Sequence, residues 1–481
     1  MKNTNTNNRV IVIGAGPVGI SAAAQLIARG LEPLLLEKGS RVGHAILEWG
    51  HVRVFTPWQY ITDKAVMDLL EPMGWKHPDK KHLPTGQEIV DEYLVPAAEI
   101  TALKNHILYD ANVVAVSKLG LSKSSTLDRN SVPFTVHYKT SDREHNVIEA
   151  MAVIDASGTW YNPNPIGADG LMVPGEQEFS DRISYGIPET LTRNKALYEG
   201  KKTLVLGSGH SAINVVLDVL QLKKENADTK LIWGLRRNKI EKLLGGGIND
   251  KLPARSALGT AAKEAIDDGA LELYAPMNVR KISKIGCRMN VEMDIDDKIQ
   301  TIEVDRIIVA TGFHPNLEML REIRLDLDVV VEAPNVLAPM IDPNFHSCGT
   351  VRPHGIDELS HTDKNFFIVG MKAYGRAPTF LMKTGYEQVR SIADELAGNH
   401  EAARKIELDL PQTGVCSSRP QISTSTEPLA VSSECCEIAP VEKPPSKECC
   451  DSTPITEKKP EVASGKCCGP APTHTAKSNW D

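Results

Sequence analysis

Two glycine-rich turns, each placed between an apolar run and a helix-forming segment, constrain the fold of this chain most. Both have the spacing G-x-G-x-x-G, with alanine replacing the last glycine of the second turn. The six motif positions are Gly14, Gly16, Gly19, Gly207, Gly209 and Ala212. In such turns the first glycine permits a tight bend, the second lets a pyrophosphate approach the backbone, and the third allows close packing of the helix. The helix that follows directs free N–H groups at the phosphates.

The segments around both turns alternate between strand and helix, as in a parallel sheet. Residues 10–13 form a β-branched run, residues 17–29 a helix of small side chains, and residues 34–37 a second strand. The same order recurs between residues 203 and 233. The chain is therefore predicted to be an α/β protein with two Rossmann-type dinucleotide-binding domains.

The residues after each second strand indicate which nucleotide each domain binds. Glu37 ends the second strand of the first unit, where its carboxylate can accept hydrogen bonds from a ribose diol. Arg236 and Arg237 follow the corresponding strand of the second unit. Two guanidinium groups suit a 2′-phosphate and favour NADPH over NADH, although a solvated arginine pair in a loop is the alternative. Two nucleotide-binding folds imply two nucleotides, and pairing a nicotinamide with a flavin predicts NADPH and FAD as cofactors.

Two small-residue turns and a late strand indicate how the domains are joined. Residues 154–158 and 309–312 each end an apolar strand with such a turn, the second of them at Gly312. Residues 366–370 form another apolar run, which ends at Gly370 and precedes a helix near residues 378–396. The second unit is therefore predicted to be inserted in the first. The expected boundaries are 8–165 and 301–411 for the two parts of the FAD domain, 166–300 for the NADPH domain and 412–481 for a tail.

Cysteine is concentrated near the C-terminal end of the chain. Only Cys287 and Cys348 fall within the first 411 residues, whereas seven of the nine cysteines lie beyond them. Six of these form adjacent pairs: Cys435, Cys436, Cys449, Cys450, Cys467 and Cys468. The stretch is rich in Pro, Ser, Thr, Lys and Glu, so we expect a disordered tail. Adjacent thiolates suit soft ions such as As(III), Sb(III), Hg(II) or Cu(I), whereas zinc fits less well and a tail without function is the alternative.

Charge and hydropathy argue against several kinds of partner. The formal net charge is −8, and Lys and Arg are scattered among acidic residues, so nucleic acid is not an expected partner. No uncharged apolar run reaches the roughly 18 residues of a membrane-spanning helix, so no membrane is expected either. The N-terminal segment lacks the compact basic region of a signal peptide, and we expect a cytoplasmic protein.

With these motifs the chain resembles the flavoproteins with two dinucleotide-binding domains, the group of flavin-containing monooxygenases and thioredoxin-reductase-like enzymes. The resemblance covers residues 9–398 and implies that the first turn holds FAD and the inserted domain NAD(P)H. It also implies that Gly312 marks a crossing between the domains and that Gly370 belongs to the final FAD segment. The chain departs from both branches, because it lacks a Cys-x-x-Cys relay and, around residues 179–185, the monooxygenase fingerprint.

A closer resemblance is to a bacterial flavoprotein group from arsenic-resistance operons, for which oxidation of trivalent arsenicals is proposed. Residues 49–58, 346–350 and 370–378, together with the cysteine pairs, carry this resemblance. It implies a metalloid or other small-molecule substrate and dioxygen as partners.

Three further residues are candidates for the reaction centre. Trp58 lies in a region that borders the isoalloxazine ring in related flavoproteins, where it could shield the flavin from water, and packing in the core is the alternative. Cys348 could hold a soft trivalent metalloid, and a buried apolar cysteine is the alternative. Lys372 precedes the last long helix, where its positive charge could stabilise negative charge on reduced flavin. A position in a surface loop without such a role is the alternative.

Three functions are compatible with these features. The leading hypothesis is an NADPH-dependent flavin monooxygenase that oxidises a toxic trivalent metalloid, with a tail that captures the substrate. The second is a flavin-dependent reductase of disulfides or metal ions that uses the tail thiols, although adjacent cysteines form disulfides with difficulty. The third is a metal-sequestering protein whose nucleotide folds serve only sensing or stability.

Overall fold

The computed structural model describes residues 8–237, 253–345, 351–377, 379 and 381–408. The strands are β1 Arg9–Ile13, β2 Glu32–Leu36, β3 Ile107–Leu108, β4 Asn112–Lys118, β5 Phe134–Lys139, β6 His145–Ala150, β7 Ala152–Asp155, β8 Ile183–Tyr185, β9 Lys202–Leu206, β10 Lys230–Gly234, β11 Glu272–Tyr274, β12 Asn278–Ile285, β13 Arg288–Ile295, β14 Lys298–Val304, β15 Arg306–Val309 and β16 Phe366–Ile368. The helices are α1 Pro17–Ile27, α2 His44–Leu47, α3 Lys64–Leu70, α4 Gly86–Ile89, α5 Val95–Ile100, α6 Lys195–Tyr198, α7 His210–Glu225, α8 Pro253–Asp267, α9 Ala338–Ile341, α10 Ile356–Leu359, α11 Met382–Leu396 and α12 His400–Arg404. Short 3-10 turns lie at Trp58–Tyr60, Glu71–Met73, Ala102–His106, Ser180–Arg182, Glu318–Leu320 and Gly370–Tyr374, and a π-helical turn lies at Val90–Leu94.

The first parallel sheet is built around β1, the apolar strand before the first glycine turn. Its strand order is β16-β7-β1-β2-β3, and every neighbouring pair is parallel. Val10, Ile11 and Val12 are fully buried, as expected for a strand at the centre of a parallel sheet. Helix α1 leaves the glycine turn and packs against α11 and α3.

The second parallel sheet has the order β11-β10-β9-β15-β8. Read from β8, the second sheet has the same arrangement as the first sheet read from β16. In this arrangement β9 corresponds to β1, β10 to β2 and β15 to β7. Helix α7 buries an apolar stripe that includes Ile213, Val216 and Val219, whose spacing of three residues places them on one helix face. Together the two sheets confirm the predicted α/β fold.

Two small antiparallel sheets accompany the parallel ones. The sheet β4-β5-β6 follows β3, and Phe134 on β5 lies 6.2 Å from the Phe366 ring on β16, measured between ring centroids. The sheet β12-β13-β14 precedes β15 and buries alternate residues of β13, namely Met289, Val291 and Met293. Each small sheet therefore contributes one apolar face to the core of the parallel sheet beside it.

The pairing of the late strands shows where the chain passes between the sheets. β15 pairs with β9 and β8, so the second sheet includes Arg306–Val309, which lie beyond the expected domain boundary at residue 301. β16 then pairs with β7, which returns the chain to the first sheet. The last long helix begins at Met382 rather than near residue 378. The tail expected at residues 412–481 lies outside the described residues.

Among the helices that the structure describes, none combines the length and the apolar character needed to cross a bilayer.

Candidate cofactor site

The first glycine turn has free space beside its backbone at Gly16 but not at Gly14 or Gly19. Gly14 has a φ of +96°, and a Cβ atom there would lie 3.0 Å from the carbonyl oxygen of Ala156. A Cβ atom on Gly19 would lie 2.0 Å from the carbonyl oxygen of Gly14, so helix and turn approach too closely for any side chain. At Gly16, in contrast, a Cβ atom would meet no heavy atom within 4 Å. This opening is where a pyrophosphate can reach the start of α1, whose first turn carries no acidic residue.

Glu37 sits directly after β2 and is buried beside this turn. Its two carboxylate oxygens accept hydrogen bonds from the backbone N–H of Ala15, at 2.7 Å, and from that of Gly39, at 2.8 Å. The two amides hold the carboxylate in one orientation, and each oxygen keeps further acceptor capacity for a ribose hydroxyl. The residues of the first cradle, Gly14, Gly16, Gly19 and Glu37, therefore fit the adenosine diphosphate part of FAD.

The second glycine turn repeats this geometry. Gly207 has a φ of +134°, and a Cβ atom there would lie 2.2 Å from the carbonyl oxygen of Ala310. Gly209 again has open space where its side chain would be. Ala212 is buried in the first turn of α7 without a clash, which explains why alanine is accepted at this third position. The indole N–H of Trp233 donates a 2.8 Å hydrogen bond to the carbonyl oxygen of Gly207 and fixes the turn.

Arg236 and Arg237 follow β10 and are both exposed. This places them at the carboxyl end of the strand next to β9, where a nucleotide ribose lies in dinucleotide-binding folds. The position supports the predicted interaction with a 2′-phosphate.

The two segments that pass between the sheets are hydrogen-bonded to one another. The Asn164 N–H donates to the carbonyl oxygen of Gly312 at 3.0 Å, and the Thr311 hydroxyl donates to the carbonyl oxygen of Asn164 at 3.2 Å. The side chain of Asn164 also meets Nδ1 of His314 at 3.0 Å. Burial lowers the pKa of His314 below its ordinary value, and the nearby Arg376 acts in the same direction. Gly312, with a φ of +92°, thus lies where these two segments are hydrogen-bonded to each other.

Gly370 is held by a buried chain of hydrogen bonds. Its N–H donates to the side-chain oxygen of Gln388 at 2.7 Å, and the Gln388 amide lies 2.8 Å from Nε2 of His354. Nδ1 of His354 lies 3.0 Å from the carbonyl oxygen of Arg352. Burial lowers the pKa of His354, so the ring is neutral, donates from Nδ1 and accepts from Gln388 at Nε2. This network fixes the loop between β16 and α11.

A buried ion pair beneath the first cradle was not predicted. The Lys372 ammonium lies 2.7 Å from the carboxylate of Asp155 and 3.1 Å from the hydroxyl oxygen of Ser157. Both charged side chains have at most 1% of their surface exposed. Lys372 is therefore neutralised by Asp155 and does not belong to a surface loop. The available signal in the sequence was the charge of Asp155 at the end of an otherwise apolar strand.

The aromatic residues after α2 divide between core and surface. Trp58 is completely buried and meets Tyr93 edge-on, with ring centroids 6.5 Å apart. Its indole N–H has no hydrogen-bond partner within the described residues. This burial favours the core-packing interpretation of Trp58 over a catalytic one. Phe55, in contrast, lies 5.0 Å from the ring of His210 at the start of α7, and so connects the first unit with the second cradle.

The predicted thiol sites fall outside the described residues. These are Cys348 and the six paired cysteines Cys435, Cys436, Cys449, Cys450, Cys467 and Cys468. Within the described part of the chain, Cys287 is the one cysteine, and it is exposed. No group of three or more metal-ligating side chains occurs in that part either.

The comparison with known proteins decides the family. The family model for pyridine nucleotide-disulphide oxidoreductases matches residues 11–344, which is more than half of the chain. The chain belongs to this family. Its relatives include a ferredoxin–NADP reductase and an FAD-bound monooxygenase, and the predicted oxidoreductase with FAD and NADP(H) as cofactors is confirmed.

Several proteins that are distant in sequence match most of this chain. The ferredoxin–NADP reductase of Thermus thermophilus is 23% identical over 348 residues, which are 71% of this chain and 84% of the relative. The bacillithiol disulfide reductase Bdr of Bacillus cereus superimposes with a TM-score of 0.59 at 21% identity and covers 82% of this chain and 99% of its own. The cadaverine monooxygenase DfoA of Erwinia amylovora gives a TM-score of 0.58 at 16% identity, and the match covers 85% of this chain and 98% of DfoA. Both reductases and monooxygenases therefore share this fold.

Proposed function

We propose that this oxidoreductase is an NADPH-dependent flavin monooxygenase that oxidises a trivalent metalloid or organoarsenical. FAD, when bound, accepts a hydride from NADPH and supplies electrons to dioxygen. The first cradle, with Gly16 open and Glu37 fixed by two amides, holds the FAD diphosphate and ribose. The second cradle holds NADPH, with Arg236 and Arg237 on its 2′-phosphate.

The proposed reaction balances with dioxygen as co-substrate. NADPH gives two electrons as hydride, and one further proton comes from solvent. One oxygen atom of dioxygen bonds to the lone pair of the trivalent metalloid, which is oxidised to the pentavalent state, and the other leaves as water. The protein residues contribute by binding both nucleotides and by keeping them aligned, which removes orientational freedom from the reaction.

The observation that carries the choice of dioxygen is the absence of a dithiol in the body of the chain. No Cys-x-x-Cys occurs anywhere in the sequence, and within the described residues Cys287 lies on the exposed turn between β12 and β13. The described body thus offers no thiol pair that could take electrons from a flavin. An external acceptor such as dioxygen fits this arrangement better than an internal relay.

The proposed metalloid substrate is supported by the six paired cysteines between residues 435 and 468. Thiolates are preferred ligands of soft, thiophilic ions, and adjacent pairs offer two sulfur atoms to one ion. Under this proposal the tail captures the substrate and raises its local concentration near the flavin. The resemblance to the arsenic-resistance flavoproteins and the metal-binding role of Cys348 belong to the same proposal.

A reductase of disulfides or metal ions is the second candidate. The match in fold to a bacillithiol disulfide reductase favours it, and the tail thiols would then be the electron acceptor. Membership of an oxidoreductase family leaves little support for the third hypothesis, a protein that only sequesters metal.

Coupled measurement of NADPH, dioxygen and substrate separates these candidates. The FAD-loaded full chain is mixed with NADPH and either arsenite, antimonite or a monomethylated trivalent arsenical, in air and without oxygen. The monooxygenase proposal expects equal consumption of NADPH, dioxygen and metalloid, and no turnover without oxygen. NADPH oxidation that continues without oxygen and generates free tail thiols would instead establish the reductase.

A further inference from the structure

A polar cleft, here called the interdomain cleft, separates the helical segment after β2 from the loop after β8. Its volume is about 530 Å³, within the range of roughly 300–1,000 Å³ that is typical of small-molecule sites. Its polar side chains are Glu48, His51 and Gln87 on one wall and Glu189, Arg193 and Asn194 on the other. One wall belongs to the first cradle's domain and the other to the second cradle's domain, so a ligand here touches both.

Arg193 supplies a positive charge that forms no ion pair with any described carboxylate. Its side chain is exposed, and no described residue forms an ion pair or hydrogen bond with the guanidinium. Most of the other described arginines contact carboxylates, as Arg376 does with Glu332 at 2.8 Å. A guanidinium facing a cleft without a carboxylate partner suits a ligand that carries a carboxylate or a similar planar anion.

The two acids of the interdomain cleft are only partly engaged. Glu48 accepts the indole N–H of Trp160 at 2.9 Å and a hydrogen bond from the Tyr161 hydroxyl. Its charge also acts on the Lys38 ammonium. Glu189 is less engaged, since one of its oxygens accepts the hydroxyl of Thr192. Each acid therefore retains acceptor capacity for a further donor. Two carboxylates that share a cleft favour a cationic donor, such as an ammonium group, over a neutral one.

His51 also lines the interdomain cleft and has a ring nitrogen without a hydrogen-bond partner in the described part of the chain. This nitrogen, Nε2, is buried. Burial lowers the pKa of His51, and the opposing influences of the Glu189 carboxylate and the Pro188 carbonyl do not restore it. The ring is thus neutral near neutral pH. A buried polar atom without a partner is uncommon, and a ligand in the cleft could satisfy it only if the His51 ring turned toward the cleft.

We propose that the interdomain cleft binds a small zwitterion, an amino acid or short peptide, with its carboxylate on Arg193 and its ammonium on Glu48 and Glu189. A dianion would be repelled by the two acids, and a dication by Arg193. An uncharged molecule would gain no charge–charge attraction from these three residues. The inference is independent of the metalloid proposal, because binding at this cleft is measured without turnover.

The test uses the FAD-loaded full chain and calorimetric titration at neutral pH. The probes are the twenty standard amino acids and their glycyl dipeptides, each compared with two derivatives. The C-terminal amide removes the carboxylate, and the N-acetyl form removes the ammonium. At least one zwitterion is expected to bind, and each derivative is expected to bind about tenfold more weakly or worse, because each loses a charge-assisted contact.

Two variants assign the contacts to residues. Arg193→Gln is expected to weaken binding of the zwitterion about tenfold or more and to leave the affinity of the amide derivative unchanged. Glu189→Gln is expected to weaken binding of the zwitterion by a similar factor and to leave the affinity of the N-acetyl derivative unchanged. Arg321→Gln and Glu318→Gln are the matched controls, since these two exposed residues pair with each other and do not line the cleft. They are expected to bind like the parent.

Three outcomes would overturn the proposal. The first is that no probe binds. The second is that binding is unchanged in both Arg193→Gln and Glu189→Gln. The third is that Arg193→Gln raises the KM for NADPH and leaves zwitterion binding intact, which would assign the cleft to the nicotinamide cofactor instead. The metalloid proposal would survive any of these results, because its own test measures oxygen-dependent turnover.

Discussion

The two glycine cradles have nearly the same backbone and different surroundings. In both, the first glycine has a positive φ and faces a carbonyl oxygen of the neighbouring strand's end, Ala156 in the first cradle and Ala310 in the second. In both, the middle glycine, Gly16 or Gly209, faces open space. The matching strand orders of the two sheets extend this correspondence from the turns to the whole architecture. The requirements of a pyrophosphate thus determine the shared part.

The differences lie where the remaining parts of the nucleotides would bind. The first cradle has a buried acid, Glu37, tied to two backbone amides, whereas the second has two exposed arginines. Below the first cradle, β7 ends in Asp155 paired with Lys372, whereas the corresponding β15 ends in apolar Val309. The comparison shows that the charged group of the first cradle is buried and held by backbone hydrogen bonds. The second cradle presents its charged groups at the surface.

The largest expected effect comes from breaking the ion pair that only the first sheet contains. Lys372→Met leaves the fully buried Asp155 carboxylate without its partner, which costs about 3–5 kcal/mol. Thermal unfolding followed by circular dichroism is expected to show a marked fall in Tm. The double variant Asp155→Leu with Lys372→Met serves as the control, since it removes both charges and is expected to recover much of the loss. A single variant as stable as the parent would show that the pair is not buried in solution.

The next effect should distinguish Gly19 from Ala212, the residues at the third position of the two glycine motifs. Gly19→Ala places a methyl group 2.0 Å from a backbone oxygen that cannot move independently. We expect a cost near the upper end of the usual overpacking range, about 3 kcal/mol, and loss of bound FAD. The matched change Ala212→Gly costs about 1 kcal/mol through helix propensity and leaves FAD content unchanged. Flavin absorbance per protein measures both, and equal flavin content in the two variants would contradict the assignment of the first cradle.

A smaller effect is expected where the cradles differ in charge. Replacing both Arg236 and Arg237 with Ala should raise the KM for NADPH about 10- to 150-fold, the equivalent of losing one charge-assisted hydrogen bond worth about 1.5–3 kcal/mol. The KM for NADH should change little, because NADH has no 2′-phosphate. Steady-state kinetics with both cofactors provide the comparison. Equal losses with NADPH and NADH would place the arginines away from the 2′-phosphate.

The shared features of the cradles could be predicted from sequence because their constraints are local. A turn that must bring a helix N-terminus to a phosphate leaves only glycine at Gly14, Gly16 and Gly19, and the spacing alone identifies it. Glu37 could be predicted for the same reason, since it ends the strand that follows. The α/β fold and the insertion of one sheet's strands within the other followed from the order of these units.

Glu37 and the arginines Arg236 and Arg237 distinguish the cradles and follow from the sequence. The other distinguishing features depend on contacts between distant residues, which the sequence does not show. Asp155 and Lys372 are separated by 217 positions, and nothing in either segment indicates that they pair. His51 and Arg193 line one cleft only because two domains meet there. Trp58 could be placed near the flavin region by position, but its complete burial depends on packing with Tyr93, which lies in another segment.

Removal of the tail is expected to have the smallest effect on stability, because the tail is poor in apolar residues whereas each cradle adjoins an apolar core. Truncation after Leu410 is expected to leave a folded, FAD-bound core that oxidises NADPH, with Tm almost unchanged, because the removed segment has too few apolar residues to contribute to a core. In cells the same truncation is expected to lower protection against arsenite, most strongly at low doses, since capture raises local concentration only while the catalytic site is unsaturated. Changing all six paired cysteines, from Cys435 to Cys468, to Ser should reproduce the loss, because the proposed cause is thiolate softness and not tail length. Dose–survival curves compare the three proteins at matched expression. If the six-Ser variant protects as well as the parent at every dose, the capture role is wrong, whereas the two cradles and their cofactors remain as described.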